Sequence, residues 1–200
     1  MRIIEFASLK VEPWRNGGGV TREIALGGTA TEPAWRLSIA DVTAAGAFSA
    51  FPGMERTFTV IEGDVVELTI DGVARRLERF RPYRFDGGST TSCALPTGAC
   101  RALNVMTRKD SFGAGVLIAE LSKKQPLPVQ PDQFLVLLQG QAQVLDGTVA
   151  QALSPFDTVA GSSPRDQAAT GVPGEPQDDV PRLPEISGRG FAALVSVFAL

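Results

Sequence analysis

Nowhere along the 200 residues does an apolar period of 3.6 persist for twelve positions, so the chain has little with which to build a long amphipathic helix. Its apolar residues alternate instead. Val20, Ile24 and Leu26 alternate with Thr21, Glu23 and Ala25, and Trp35, Leu37 and Ile39 alternate with Arg36, Ser38 and Ala40. Further short runs rich in β-branched or aromatic residues lie at 57–62, 65–70, 103–106, 116–121, 134–138, 143–145 and 191–198. Turn signals separate them: Glu62-Gly63-Asp64, Asp71-Gly72, Asp86-Gly87-Gly88, Gln139-Gly140-Gln141 and Asp146-Gly147. With 21 glycines and 14 prolines, the pattern predicts an all-β sandwich or barrel with few or short helices.

The turns also repeat. Phe58–Gly63, a strand, Asp71-Gly72, a strand and Phe85-Asp86-Gly87 form one series. Leu135–Gly140, a strand, Asp146-Gly147, a strand and Val159-Ala160-Gly161 form another, with matching glycines 77 and 74 residues apart. Two related units of this kind predict a duplicated jelly roll, the two-cupin β-barrel architecture. The expected organisation is a single domain over 1–200, with a first unit at about 13–110 and a second at about 111–200. Residues 162–188 differ in kind, with five prolines, five acids, two arginines and little apolar periodicity. A mobile loop is expected there. That segment carries −3, the net charge of the whole chain, so the remainder is balanced.

The composition excludes several chemistries. There is no histidine, which removes Ser-His-Asp and Cys-His relays, an imidazole base and histidine-ligated zinc, iron or copper. The basic residues cluster no further than the pairs Arg75-Arg76 and Lys123-Lys124, which gives no reason to expect nucleic acid or an acidic membrane as partner. No run approaches the 18–20 apolar residues of a membrane span, and the N-terminal residues lack the apolar core of a secretory signal. Cys93 and Cys100 have neither zinc-ribbon nor redox spacing and are expected as reduced thiols in a cytoplasmic protein.

The densest unusual stretch is Pro13-Trp14-Arg15-Asn16-Gly17-Gly18-Gly19-Val20-Thr21-Arg22-Glu23-Ile24. Its glycines let the backbone pass close to a ligand or to a neighbouring strand, and no Gly-Lys-Ser/Thr follows to make it a phosphate loop. This stretch resembles the opening signature of the HutD/Ves family. The resemblance continues through 35–40, Gly46–Arg56, Glu62-Gly63, Phe85-Asp86-Gly87 and 103–108, so its specific motifs cover 13–108. It implies a two-cupin fold and a small cytoplasmic protein. It also implies a regulatory or ligand-sensing role in histidine utilisation or a stress response, with a small acid such as N-formylglutamate as ligand. Two features depart from the family pattern. Ala102 stands where an acid usually precedes the Asn-x-Met motif by two positions, and the acidic stretch at 162–188 is additional.

Alternation indicates which side chains can meet. Thr21 pairs in direction with Glu23, Arg36 with Ser38, and Asn104 with Ala102 and Met106; Arg56 begins the strand that holds Phe58. If these faces line a cupin-type cavity, Arg36 and Arg56 supply bidentate donors for a carboxylate. Asn16, Ser38 and Asn104 then read a carbonyl or amide, with Glu23 orienting an arginine. The alternative for the same residues is a solvated sheet face with cross-strand ion pairs. The preferred expectation is non-catalytic, metal-independent and cofactor-free binding of a small anionic metabolite such as N-formylglutamate or urocanate. A second is an enzyme using Glu23, Glu55 or Glu62, with or without a hard metal, on a sugar or amino-acid derivative. A third is a structural protein acting through homodimerisation.

Overall fold

The computed structural model describes residues 1–146, 149–161 and 183–200. Apart from a 3-10 turn at Phe6–Ser8, its regular structure is β-strand. In chain order the strands are β1 (Arg2–Ile4), β2 (Val11–Pro13), β3 (Gly19–Gly28), β4 (Pro33–Val42), β5 (Gly46–Ala47) and β6 (Met54–Glu62). They continue with β7 (Val65–Ile70), β8 (Val73–Glu78), β9 (Tyr83–Asp86), β10 (Thr91–Ala94), β11 (Cys100–Arg108) and β12 (Phe112–Leu121). The last are β13 (Leu127–Pro128), β14 (Gln133–Asp146), β15 (Val149–Leu153), β16 (Thr158–Ala160) and β17 (Glu185–Ala199). Among the described residues no helix is long and apolar enough to cross a membrane.

Contacts divide the chain into two compact units: Leu9–Ala114 with Val197–Leu200, and Met1–Ser8 with Gly115–Ser196. The first holds a six-stranded antiparallel sheet in the order β2-β3-β4-β11-β6-β9 and a four-stranded sheet in the order β5-β10-β7-β8. β3, β4, β6, β7 and β11 form where alternation predicts strands, because one side of each must leave water. Ala40, Val42, Phe58, Val60 and Ala102 from the larger sheet cluster with Val66, Leu68, Leu77 and Cys93 from the smaller. A fully buried leucine or phenylalanine in such a layer stabilises the fold by roughly 1.5–3 kcal/mol. The β7–β8 hairpin closes on Asp71-Gly72, both with positive φ (46° and 81°), the geometry that makes Asp-Gly a two-residue turn signal. The second unit is organised around β14, which pairs with β15, β16 and β17 over a core that includes Leu135, Leu137, Val144 and Ile186.

The all-β, cupin-like expectation holds, with three corrections. None of the three sheets closes into a barrel. In the first unit the outermost strands are short, and β2 ends on Pro13, which has no N–H to extend a ladder. The turn expected at Gln139-Gly140-Gln141 is instead regularly paired backbone inside the continuous strand β14, just after a register shift between Leu137 and Gln139. Gly140 faces Gly190 across the pair, and a Cβ on Gly140 would lie 2.0 Å from the Arg189 carbonyl oxygen. That glycine serves close strand approach, not chain reversal. The loop expected over 162–188 ends sooner, because Glu185–Gly188 pair with β14 as the start of β17. Its residues 162–182 lie outside the described residues.

Candidate functional site

One face of the six-stranded sheet collects the candidate polar residues. On β4, Arg36 lies opposite Met106 of β11 and Ser38 opposite Asn104. On the far side of β11, Met106 faces Arg56 of β6 and Asn104 faces Phe58. From β3, Glu23 lies beside Ser38, and Thr21 beside Ala40. In the rows toward Val42 this face is apolar and packs into the core. In the rows of Arg36 and Ser38 it opens into a cavity of about 440 Å³.

Arg56 is the central group. It is 6% exposed, and its Nε and Nη2 both donate to Asn104 Oδ1, at 2.9 and 2.7 Å. The guanidinium lies over the rings of Phe48 (4.8 Å), Phe58 (5.6 Å) and Phe85 (5.7 Å). No carboxylate pairs with it among the described residues. Burial, reinforced by the positive charge of Arg36, pulls its pKa down from 12.5 to about 10, so it remains a cation at neutral pH. Asn104 is 2% exposed, and its amide nitrogen reaches only the Ala102 carbonyl oxygen, at 3.4 Å. Ser38 is 3% exposed and lines the same cavity with no hydrogen bond from its hydroxyl to the described protein.

The other sequence-predicted residues have different parts. Arg36 lines the cavity, but its Nε donates to Glu23 Oε2 at 2.9 Å. Glu23 therefore acts on the cavity through Arg36. Thr21 and Asn16 line the cavity with bonds already committed. Thr21 Oγ1 accepts the Trp14 indole N–H at 2.8 Å. Asn16 Oδ1 accepts the Gly18 N–H, and its amide donates to the Ala47 carbonyl oxygen. The glycine run follows from packing. Gly17 has φ +69°, and a Cβ on Gly19 would lie 2.3 Å from the Asp41 carbonyl oxygen and 3.2 Å from the Trp14 ring. At Gly19 this is close approach to a neighbouring strand.

Trp14, Phe48 and Met106 also line the cavity. Met106 was readable from its two-residue offset to Asn104. Phe48 stands outside the strands, so alternation gives no sign of its place. The Phe48 N–H donates to the Thr91 carbonyl oxygen and the Phe51 N–H to that of Gly87. A Cβ on Gly87 would lie 2.9 Å from the Met54 carbonyl oxygen. The Phe-Pro-Gly and Asp-Gly-Gly segments thus seat each other and hold Phe48 over Arg56.

The carboxylates considered for catalysis are dispersed: Glu23 pairs with Arg36, Glu55 with Arg84 and Glu62 with Arg101. Among the described residues no group of three His, Cys, Asp or Glu side chains is placed to hold a metal ion. Cys93 and Cys100 are buried free thiols, and burial raises the pKa of both, that of Cys100 to about 12. The arrangement is that of a buried cation fixed by an amide and aromatic rings, beside an unpaired hydroxyl.

The HutD family model matches residues 7–175. The chain is 39% identical over 123 residues to Protein Ves of Citrobacter koseri, covering 60% of this chain and 64% of that protein. It is 44% identical over 105 residues to an uncharacterised 21.2 kDa protein in the hutC 3' region of Pseudomonas putida, covering 51% and 55%. The matched part thus spans less than two thirds of these curated relatives. HutD from Pseudomonas fluorescens SBW25 superposes with a TM-score of 0.75 at 28% identity, covering 100% of this chain and 98% of that one. Cupin-domain proteins share the fold at far lower identity. The signature at 13–24, the match over most of the chain and the shared fold agree: this chain belongs to the HutD family.

Proposed function

We propose that this protein binds a small carboxylate metabolite at Arg56, without turnover and without a metal, and that occupancy serves regulation in histidine utilisation or a stress response. One observation carries the reading: a buried guanidinium with no carboxylate partner opens onto a cavity of about 440 Å³. Burying an unpaired charge costs several kcal/mol, and a ligand carboxylate offsets that cost with charge-assisted hydrogen bonds. Asn104 fixes the guanidinium plane, so little side-chain freedom is left to lose on binding. The names of the relatives, HutD and Ves, and the hutC 3' location of the Pseudomonas putida protein support the proposed physiological setting.

Thermal unfolding in the presence of urocanate, N-formylglutamate, glutamate and formate tests the reading. A ligand at 100 times its dissociation constant adds about 2.7 kcal/mol of stability, enough to move the melting temperature by degrees. At least one acid is expected to raise it. If all four leave it unmoved at millimolar concentration, the proposal fails.

A further inference from the structure

Resting on the carboxylate reading above, we infer that the cavity selects a monoanion, a ligand with one carboxylate and an uncharged remainder. The charges of the site decide this. Arg56 is buried and unpaired, whereas Arg36 already donates to Glu23 at 2.9 Å. The buried part of the cavity therefore has one positive charge in surplus. Glu12 and Arg15, at the exposed rim, are screened by solvent and weigh little. A single carboxylate at Arg56 brings the interior to neutrality. Among the described residues a second one finds no further cation in the buried part of the lining unless Arg36 leaves Glu23, which strands a carboxylate in turn; Arg15 is exposed at the rim.

The remaining surfaces suit an uncharged body. Phe48 and Met106 offer apolar contact, and the buried Ser38 hydroxyl offers one hydrogen bond. Ser38 stands on β4 directly opposite Asn104 of β11, the residue that receives the Arg56 guanidinium, so the hydroxyl and the guanidinium lie one strand apart. A molecule that engages both carries its neutral polar group one strand spacing from its carboxylate, a few ångströms and not the length of an extended chain. Among the acids named above, urocanate carries one negative charge near neutral pH and N-formylglutamate two.

Calorimetric titration with matched pairs tests the inference: succinamate against succinate, and glutaramate against glutarate. These differ by one charge at nearly constant shape. The expected result is that each monoanion binds at least tenfold more tightly than its dianion. In Glu23→Gln, Arg36 loses its carboxylate and the interior surplus becomes two, so the preference should narrow or reverse. A dianion that binds the unaltered protein as tightly as its partner, or more so, overturns monoanion selection while leaving carboxylate binding intact. An unchanged preference in E23Q overturns the charge-balance explanation. Absence of binding by urocanate and by all four probes overturns the carboxylate reading itself.

Discussion

Arg56 is expensive for the fold, because its charge is buried with an amide and not a carboxylate as partner. Replacing Asn104 with alanine removes the acceptor of two hydrogen bonds from a buried cation. N104A should lose about 2–4 kcal/mol in urea unfolding. Arg56→Met keeps the volume, places a thioether among Phe48, Phe58 and Phe85, and removes the buried charge. R56M should unfold within about 1 kcal/mol of the parent, or at higher urea, because well-packed apolar replacements of buried charges are often neutral or stabilising. A loss above 3 kcal/mol would make Arg56 a structural residue. The pH dependence follows from its pKa of about 10 against 12.5. Between these values the unfolded chain holds more protons than the folded one, so this group makes stability rise with pH in that window. Below about 10 the burial cost is fully present. Ligand binding needs the cation and should fall as the pH passes 10. Cys93 and Cys100, buried with raised pKa values, should resist thiol reagents at pH 8 in the native protein and react once it is unfolded.

Strands place these residues, and the pairing of β3 with β4 carries two further tests. Gly19 passes so close to β4 that a Cβ would lie 2.3 Å from the Asp41 carbonyl oxygen. Gly19→Ala should therefore cost more than 2 kcal/mol, read as a shift in the urea midpoint, by forcing β3 away from β4. Asp41 itself receives Arg22 at 2.6 Å, as well as Arg101. Partial burial raises its pKa, but hydrogen bonds from Arg101 and Arg22, with their charges, bring it below the ordinary 3.8. A lowered carboxylate pKa contributes stability above 3.8 that is lost as the pH falls through the folded value. Asp41→Asn should thus destabilise the protein at pH 7 by about 1 kcal/mol, discounted for solvent exposure, and the difference should close in strong acid.

At the scale of the whole molecule, much of the fold was legible because alternation in a sheet is a one-dimensional signal. Runs such as 35–40 and 103–106 lie inside β4 and β11. β8 is expected only from the turn signals on either side of it, because its row Val73, Ala74, Arg75, Arg76 is exposed and keeps no apolar rhythm. Gly140 was read as a turn because sequence cannot distinguish a glycine needed for chain reversal from one needed for approach to Gly190. The shared direction of Arg36 with Ser38, and of Asn104 with Met106, was also legible. Register was not, and register sets Arg56 opposite Met106 and within reach of Asn104. The place of Phe48 over the guanidinium depends on loop hydrogen bonds to Thr91, which no local pattern encodes.

If Arg56 holds an acid, as proposed, that acid must lose most of its affinity once the charge is gone. Titration calorimetry of urocanate into the unaltered protein and into R56M, both shown folded by circular dichroism, tests it most directly. Saturable binding to the unaltered protein and at least a hundredfold weakening in R56M are expected, the consequence of removing a charge-assisted, desolvated contact worth about 3 kcal/mol or more. Equal affinity in the two proteins would contradict it.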